Sequence, residues 1–273
     1  MSALRIAIAT PSFQQAAYLE ECLRSIQGQE GARVEHLVAD GGSTDGSRAI
    51  IERHARHLAW WCSEPDRGQA HAINKALARA TGEVFNWINS DDLLLHGALA
   101  KVADAFERHP GALVLTGARL KRSVGAPDSP MPTEDPSDPD AWFTAPRVNQ
   151  QSTFYRTSAL REIGGLEERL RYVFDLELWW QFLFRFGASA VRVVPWELAV
   201  FRHHPASKTA TSQRAFVHET ASILHGLCAQ AGLDTHARLM AIGHDITPGL
   251  RPMPVSAGQA PLIERMAWRF MLK

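Results

Sequence analysis

The chain has 273 residues, of which 45% are hydrophobic and 21% charged, enough for one large α/β domain with its own core. Lysine plus arginine and aspartate plus glutamate number 29 each, so the overall charge does not favour nucleic acid or a strongly acidic partner. The three cysteines are far apart and lack Cys-x-x-Cys spacing, which argues against a disulfide framework and a zinc knuckle.

Strand-like and helix-like hydrophobic periods alternate along the first half of the chain, with short turns between them. This alternation predicts crossover connections and a mainly parallel sheet. The predicted strands cover residues 4–10, 34–39, 58–62, 84–88 and 113–115. The predicted helices cover residues 17–26, 46–53, 69–79 and 97–108.

A proline-rich stretch at residues 122–146 interrupts the pattern, and we predict a loop there, over a site or between two subregions. The elements predicted after it are strands at 150–155 and 191–194 and helices at 158–165, 173–186 and 211–228. About the last 40 residues carry no clear fold signal.

Two adjacent carboxylates, Asp91 and Asp92, directly follow the apolar run 84–88. Such a run is typical of a buried strand, and residues just beyond its carboxyl end line the ligand crevice of an open α/β sheet. Two acids there can hold a hard divalent cation, which in turn can bind a diphosphate. For an isolated acid pair, the alternative is that one aspartate caps the next helix.

Polar groups also follow the first three predicted strands, and the same reasoning places them at the same edge of the sheet. These groups lie in residues 10–13, 40–46 and 64–69. Each has a structural alternative when taken alone. Asp40 followed by two glycines is typical of a turn, Asp45 is a suitable helix N-cap, and Arg67 is typical of a solvent-exposed charge in a loop.

Taken together, these stretches resemble the family 2 glycosyltransferases, which have a nucleotide-sugar-binding GT-A fold. The resemblance rests on an ordered set of segments: Thr10-Pro11-Ser12-Phe13, Asp40-Gly41-Gly42-Ser43-Thr44-Asp45-Gly46-Ser47, Ser63-Glu64-Pro65-Asp66-Arg67-Gly68-Gln69, Ala72-Ile73-Asn74-Lys75 and Asn89-Ser90-Asp91-Asp92. It is strong over residues 4–120 and thinner as far as Lys208. It implies an α/β fold with a Rossmann-like, mainly parallel sheet flanked by helices and a C-terminal helical extension.

The resemblance also implies how a nucleotide-sugar donor is held. Pro11 and Phe13 are expected beside the nucleoside, and Asp40 is expected to accept a hydrogen bond from a uracil-type imide. Asp66 and Arg67 are expected to hold the nucleotide end of the donor.

A divalent cation, Mn²⁺ or Mg²⁺, is the cofactor that the resemblance implies. Asp92 is expected to be its direct ligand, with Asp91 reaching the ribose or a metal-bound water. The stretch from His203 to Thr209 is similar to a family segment that returns to the donor site. His204 is therefore expected near the metal and Lys208 near the diphosphate.

The acceptor side of the site is implied by Asp175, which is similar to the acid that precedes an aromatic helix in the family and acts as general base. Phe174 departs from the pattern, because an acidic residue is common there. The alternative for Asp175 is that it caps the helix. Gln150, Gln151 and Glu177 are expected to line the acceptor side.

The function implied by the resemblance is inverting, metal-dependent transfer of a sugar from a nucleotide diphosphate donor, UDP-linked, to a hydroxyl acceptor. The expected acceptor is a glycan or lipid-linked glycan in cell-surface polysaccharide biosynthesis. Two alternatives stay open, a non-catalytic nucleotide-sugar-binding or scaffold protein and a sugar nucleotidyltransferase.

Three parts of the chain are distinguished on this interpretation: a nucleotide-sugar-binding half at 1–120, an acceptor-side half at 121–210 and a helical extension at 211–273. The amino terminus reads as a first strand rather than a signal peptide, and no stretch reaches the roughly 18 apolar residues of a membrane span. A cytoplasmic location is expected. Residues 261–273 can form a basic amphipathic helix, so contact with the inner face of a membrane is a further hypothesis.

Overall fold

A computed structural model describes residues 4–272, apart from the side chain of Ala257. These residues form two compact units, each drawn from three separate segments of the chain. The first unit comprises residues 4–133, 149–166 and 190–204, and the second comprises 134–148, 167–189 and 205–272. The three parts predicted from the sequence, with boundaries at residues 120 and 210, are consecutive along the chain. The two compact units are not, because segments of one alternate with segments of the other in the sequence.

The first unit contains the sheet. Its strands are β1 Arg5–Ser12, β2 Arg33–Asp40, β3 Trp60–Ser63, β4 Val84–Trp87, β5 Leu93–Leu94, β6 Val114–Ser123, β7 Ser129–Met131, β8 Thr153–Arg156 and β9 Val191–His203. They are arranged in the order β3-β2-β1-β4-β8-β6-β9-β5, with β7 paired to β6.

The half of the sheet formed by β3, β2, β1 and β4 is parallel. Beyond it, β8 runs antiparallel to both β4 and β6, while β9 is parallel to β6. Parallel neighbours end at one edge, so the turns that follow these four strands lie along the same rim. The α/β interpretation is confirmed, with antiparallel pairs added in the second half of the sheet.

Helices account for most of the remaining regular structure. They are α1 Ala16–Gln27, α2 Ser47–His54, α3 Gln69–Arg79, α4 Ala98–Arg108, α5 Ala141–Thr144, α6 Thr157–Ile163, α7 Phe174–Phe186, α8 Lys208–Thr211, α9 Gln213–Gln230, α10 Asp234–Gly243 and α11 Ala260–Met271. In the first unit, α1 presents Leu19, Leu23 and Ile26 as one buried stripe at helical spacing. The second unit is built from α5 and α7 to α11.

The stretch predicted as a loop at 122–146 is more ordered than expected. β6 continues to Ser123, β7 pairs with it, and α5 begins at Ala141. The α5 turn places Trp142 in the core of the second unit, where it contacts Trp179 of α7 with ring centroids 6.1 Å apart. Sequence reasoning missed these elements because the prolines obscure the strand pattern. Across residues 4–272, the helices are too short or too polar to span a bilayer.

A buried histidine in β2 predicts a pH dependence of stability. The ring of His36 is fully buried, and its Nε2 lies 3.0 Å from Thr10 Oγ1. Burial, and to a smaller extent electrostatic repulsion from His54, lowers the pKa of His36 to about 3. The unfolded chain therefore binds a proton at this histidine below about pH 6.5, whereas the folded chain does so only as the pH approaches 3. The contribution of the neutral ring to folding stability is fully present above about pH 6.5 and is lost as the pH falls toward 3.

We expect this single group to remove about 2 kcal/mol of stability between pH 7.5 and pH 5. Urea unfolding of the wild type and of His36→Gln at both pH values measures it, because the variant should lose that part of the pH dependence. His57→Gln removes an exposed histidine and serves as the control. An unchanged pH dependence in His36→Gln would show that the ring is protonated equally in both states.

Candidate active site

The turn after β2 is organised around Asp40, whose side chain is completely buried. Its Oδ2 accepts hydrogen bonds from the backbone N–H of Gly42 and Ser43 and from Ser63 Oγ, at 3.1, 2.9 and 2.7 Å. Its Oδ1 accepts a further bond of 2.6 Å from Ser43 Oγ. Both oxygens are thus engaged inside the turn, and the expected contact of Asp40 with a nucleobase stays a prediction.

An open surface lies beside that turn. Phe13 follows β1 and is 60% exposed. A Cβ atom added to Gly41 would stand 2.9 Å from Asp66 Oδ2 and 3.2 Å from Phe13 Cδ2. Asp66 is oriented by its Oδ1, which accepts a 2.7 Å bond from the N–H of Gly68. The absence of a side chain at position 41 thus leaves room for the Asp66 carboxylate beside the exposed ring.

Two other residues expected at the donor differ in accessibility. Pro11 is buried inside β1, where it is in register with Ala39 of β2. Arg67 is exposed, and its backbone N–H donates to His71 Nδ1 at 3.1 Å. Of these two, only the Arg67 side chain is presented to solvent.

The acids after β4 face in different directions. Asp92 is 1% exposed. Its Oδ2 accepts hydrogen bonds from Gln151 Nε2 at 2.7 Å and Asn89 Nδ2 at 3.2 Å, and its Oδ1 accepts one of 3.0 Å from the backbone N–H of Arg202. Burial, followed by the charge of Asp91, raises the pKa of Asp92. Both oxygens are used within the protein, so the geometry does not favour Asp92 as direct metal ligand.

Asp91 keeps a partly accessible carboxylate, with 20% of its side chain exposed. Its Oδ2 lies 3.1 Å from Nε2 of His204, just beyond the end of β9. The imidazole stacks on Tyr18, with ring centroids 4.5 Å apart and planes inclined by 28°. Within residues 4–272, the buried Nδ1 of His204 has no hydrogen-bond partner. A carboxylate oxygen and an imidazole nitrogen are therefore held together at this rim.

These two donor atoms fit a divalent cation that is completed by its substrate. Within the described part of the chain, no three His, Cys, Asp or Glu side chains cluster as a closed metal cage. Mg²⁺ is usually bound by one or two carboxylates, substrate phosphates and water rather than by an all-protein cage. Mn²⁺ also accepts oxygen ligands, and imidazole is a common ligand of transition metals. Asp91 and His204 suit that donor set.

The two glutamines expected on the acceptor side are buried and hydrogen-bonded within the first unit, and their acceptor role stays a prediction. Gln151 links Asp92 to Arg119, whose Nη1 donates to Gln151 Oε1 at 2.5 Å. Gln150 Nε2 donates to the carbonyl oxygen of Trp87 at 2.6 Å, at the end of β4. The local sequence gives no sign of these contacts, because the hydrogen-bond partners on β4 and at Asp92 lie about 60 positions away in the chain.

In the second unit, α7 carries the predicted base in its first turn. Asp175 is partly buried, and its Oδ1 accepts a 2.9 Å bond from the N–H of Leu176. The N-cap of α7 is Val173, so the alternative of Asp175 as the cap is wrong. Glu177 is 2% exposed, and its carboxylate binds the Arg251 guanidinium with N–O distances of 2.8 and 2.7 Å. This ion pair does not favour an acceptor role for Glu177.

Lys208 also belongs to the second unit, at the start of α8. Its Nζ donates to the carbonyl oxygen of Arg171 at 3.0 Å and lies 5.7 Å from the centroid of the Tyr172 ring. This arrangement assigns Lys208 a local contact, and its expected role at the diphosphate stays a prediction.

Comparisons with known proteins agree with the fold and the motifs. The family model described as glycosyl transferase family 2 matches residues 7–164. The chain is 29% identical over 172 residues to the uncharacterized glycosyltransferase Rv1514c of Mycobacterium tuberculosis, covering 61% of this chain and 64% of that protein. It is 30% identical over 127 residues to the putative teichuronic acid biosynthesis glycosyltransferase TuaG of Bacillus subtilis, covering 45% of this chain and 50% of TuaG. Both alignments thus span less than two thirds of the relative.

Solved structures show the same fold. Residues 1–349 of TarS from S. aureus, in complex with UDP-GlcNAc, match with a TM-score of 0.69 at 16% identity, covering 98% of this chain and 73% of that one. The mannosyltransferase PcManGT from Pyrobaculum calidifontis, in complex with GDP-Man and Mn²⁺, matches with a TM-score of 0.60 at 21% identity, covering 97% and 70%. The GT-A expectation is thereby confirmed. Because the family model covers more than half of the 273 residues, this chain belongs to glycosyl transferase family 2.

Proposed function

We propose that this protein transfers a sugar from a nucleotide diphosphate donor to a hydroxyl acceptor, with inversion at the anomeric carbon and with a divalent cation at Asp91 and His204. The observation that carries the proposal is the 3.1 Å pair of Asp91 Oδ2 and His204 Nε2. Asp91 follows the carboxyl end of β4, in the parallel half of the sheet, and His204 follows the end of β9.

The metal ligands in this proposal are revised from those expected. Asp91 takes the direct role because its carboxylate is partly accessible. Asp92 becomes a support that holds the turn through Gln151 and the backbone of Arg202. When bound, Mg²⁺ or Mn²⁺ supplies positive charge that offsets the charge growing on the departing nucleoside diphosphate.

The nucleoside end of the donor is assigned to Phe13, Asp66 and Arg67. The exposed ring offers a stacking surface, and the carboxylate over Gly41 can accept an imide N–H. Uracil and guanine both carry such an N–H, and the two matched structures hold UDP-GlcNAc and GDP-Man. We propose a UDP-linked donor, with GDP-linked sugars as the necessary comparison.

A substitution at Gly41 tests the donor assignment. Gly41→Ala places a Cβ 2.9 Å from Asp66 Oδ2, so the carboxylate must move away from the ring. We expect UDP to bind about tenfold more weakly, equivalent to about 1.4 kcal/mol, with little change in melting temperature. Isothermal titration calorimetry with UDP measures this effect. Gly111→Ala is the control, because its Cβ would meet nothing within 4 Å. Equal UDP affinity in both variants would remove Asp66 from the donor site.

Acceptor activation is assigned to Asp175. Its carboxylate takes the proton of the acceptor hydroxyl as that oxygen attacks the anomeric carbon. The bond from that carbon to the phosphate oxygen breaks in the same step, and its electrons leave with the nucleoside diphosphate. A single displacement of this kind inverts the anomeric configuration, as in single-displacement glycoside chemistry.

The proposed setting is synthesis of a cell-surface polysaccharide, with a glycan or lipid-linked glycan as acceptor. The name of TuaG, which refers to teichuronic acid biosynthesis, supports this setting. So does a relative named as a PGL/p-HBAD biosynthesis glycosyltransferase in Mycobacterium bovis.

A cytoplasmic location with contact at the inner face of a membrane completes the proposal. In the second unit, α10 exposes Leu239 and Ile242, and α11 exposes Trp268. Arg238 and Arg269 are exposed beside them, as suits anionic headgroups. Lys273, the last residue of the predicted amphipathic segment, lies outside the described residues. Co-sedimentation with vesicles containing phosphatidylglycerol tests the proposal. Equal binding to purely zwitterionic vesicles contradicts it, and so does the absence of binding to either kind of vesicle.

Product analysis separates the function from its alternatives. The full chain is incubated with UDP-linked and GDP-linked sugars and a glycan acceptor, with and without Mn²⁺. A glycosyltransferase releases nucleoside diphosphate, a nucleotidyltransferase makes or consumes pyrophosphate, and a binding protein does neither. We expect metal-dependent release of nucleoside diphosphate, and pyrophosphate turnover would overturn the proposed reaction.

A further inference from the structure

We propose that Tyr18 and Arg202 are positioning residues, which hold Asp91 and His204 in the arrangement that receives a divalent cation and a diphosphate. This inference rests on the proposed function and assigns part of its site to residues that do not themselves bind the metal. The evidence is a set of contacts within the first unit.

Arg202 is 8% exposed and joins the end of β9 to two other segments. Its Nε donates to the carbonyl oxygen of Asp91, and its Nη2 donates to that of Ser90 at 3.4 Å. Nη2 also donates to the carbonyl oxygen of Tyr18 in α1 at 3.1 Å, while Nη1 binds Glu21. One guanidinium therefore satisfies acceptors on α1 and on both residues preceding Asp92, which suits its planar fork of donors.

The backbone of Arg202 adds a second tie to the same turn. Its N–H donates to Asp92 Oδ1 at 3.0 Å. The residue thus contacts the turn after β4 from two sides, through its main chain at Asp92 and its side chain at Asp91. Since His204 is two residues further along, the turn and the histidine are fixed by a common support.

Tyr18 orients the other donor atom. Its ring stacks on the His204 imidazole at 4.5 Å, and Arg202 Cζ lies 5.1 Å from the centroid of the same ring. The stacking restrains the imidazole plane that directs Nε2 toward Asp91 Oδ2. The side-chain contacts found for Tyr18 within residues 4–272 involve the ring, so we assign the effect to the ring rather than to the hydroxyl.

The physical consequence is a site that is ordered before its ligands arrive. Asp91 and His204 are 113 positions apart in the chain. Without the support, ligand binding would have to order both the turn and the histidine rotamer. The entropy cost of that ordering would weaken the affinity for the cation and the diphosphate. Residues that orient metal ligands typically alter metal affinity by about 10- to 100-fold when replaced.

The test compares Tyr18→Phe, Tyr18→Leu and Arg202→Lys with the wild type. Mn²⁺ affinity is measured in the presence of UDP by the loss of the free-ion electron paramagnetic resonance signal, alongside the melting temperature in metal-free buffer. We expect wild-type affinity in Tyr18→Phe, which keeps the ring. Tyr18→Leu and Arg202→Lys should bind Mn²⁺ about 10- to 100-fold more weakly. Glu21→Gln, which changes an exposed partner of Arg202, should stay within about twofold of wild type.

Wild-type Mn²⁺ affinity in both Tyr18→Leu and Arg202→Lys would overturn the inference. So would equal weakening in Tyr18→Phe and Tyr18→Leu, because the hydroxyl would then be responsible. If Arg202→Lys does not fold, Tyr18→Leu decides the question alone, since it alters a partly buried side chain on α1. A wild-type protein that binds neither Mn²⁺ nor UDP would refute the proposed function itself, a result distinct from normal wild-type binding with unaffected variants.

Discussion

Replacement of Asp91 by asparagine is expected to lower kcat/KM for sugar transfer by about 10³-fold, or about 4 kcal/mol of transition-state stabilisation. Asparagine preserves the size of the side chain and can still bond to His204, but it removes the anionic oxygen proposed as metal ligand. The Mn²⁺ concentration needed for half-maximal rate should rise in parallel. The melting temperature should stay near that of the wild type, because the Asp91 side chain is partly exposed.

The matched control is Asp92→Asn, one residue along the same turn. The buried carboxylate accepts bonds from Gln151, Asn89 and the backbone of Arg202. An amide there brings an N–H group against other donors, so we expect a loss of about 2 kcal/mol of folding stability. Asp91→Asn should thus lose activity while staying stable, and Asp92→Asn should lose stability.

Initial rates of nucleoside diphosphate release across a Mn²⁺ series, together with thermal unfolding of both variants, provide the measurements. The opposite pattern would reinstate the sequence-based assignment. If Asp91→Asn keeps its rate while a well-folded Asp92→Asn loses its metal dependence, Asp92 is the ligand, and the burial seen in this structure does not describe the loaded site.

The contrast between these two acids shows where sequence reasoning succeeds and where it ends. The apolar run at 84–88 predicts a buried strand, and the acid pair that follows it predicts a ligand site at the end of that strand. Both inferences depend on neighbours in the chain. Which acid turns inward is decided by Gln151 and Arg202, 59 and 110 positions away, and no local pattern records those contacts.

The same limit applies to Asp40 and to the two glutamines. Asp40 has the residue type and the place expected of a base-recognising acid, but Ser43 and Ser63 occupy its oxygens. Gln150 and Gln151 were expected on the acceptor side from the family resemblance, whereas their amides are buried against β4 and Asp92. Residue type predicted which groups gather at this edge, and tertiary hydrogen bonds decided which of them stay accessible.

Division of the chain was hard to predict for a related reason. The extent of the family resemblance suggested boundaries at 120 and 210, whereas each compact unit combines three segments. A unit assembled in this way has no single linker, and the chain passes from one unit to the other after residues 133, 148, 166, 189 and 204. Segment 190–204 lies after the aromatic helix in sequence and supplies β9 to the sheet of the first unit.

Replacement of Asp175 by asparagine is expected to reduce sugar transfer by about 10²- to 10⁴-fold, the range typical of a lost general base. Asparagine has nearly the same shape and can still accept the bond from the N–H of Leu176, so α7 should remain intact. Affinity for UDP and Mn²⁺ should not change, because the base acts on the acceptor. Single-turnover rates with saturating donor, paired with calorimetric UDP binding, separate the chemical step from binding.

Glu177→Gln supplies the matched control, an acid-to-amide change two residues along the same helix. Because Glu177 forms a buried ion pair with Arg251, its replacement should cost about 3 kcal/mol of stability and leave the transfer rate of the folded fraction intact. Glu177→Gln should therefore lose stability and keep its transfer rate, whereas Asp175→Asn should keep its stability and lose the chemical step. Wild-type single-turnover rates in that variant would exclude Asp175 as the base. The proton of the acceptor would then have to leave through another group, while the donor site at Asp91 and His204 would be unaffected by that result.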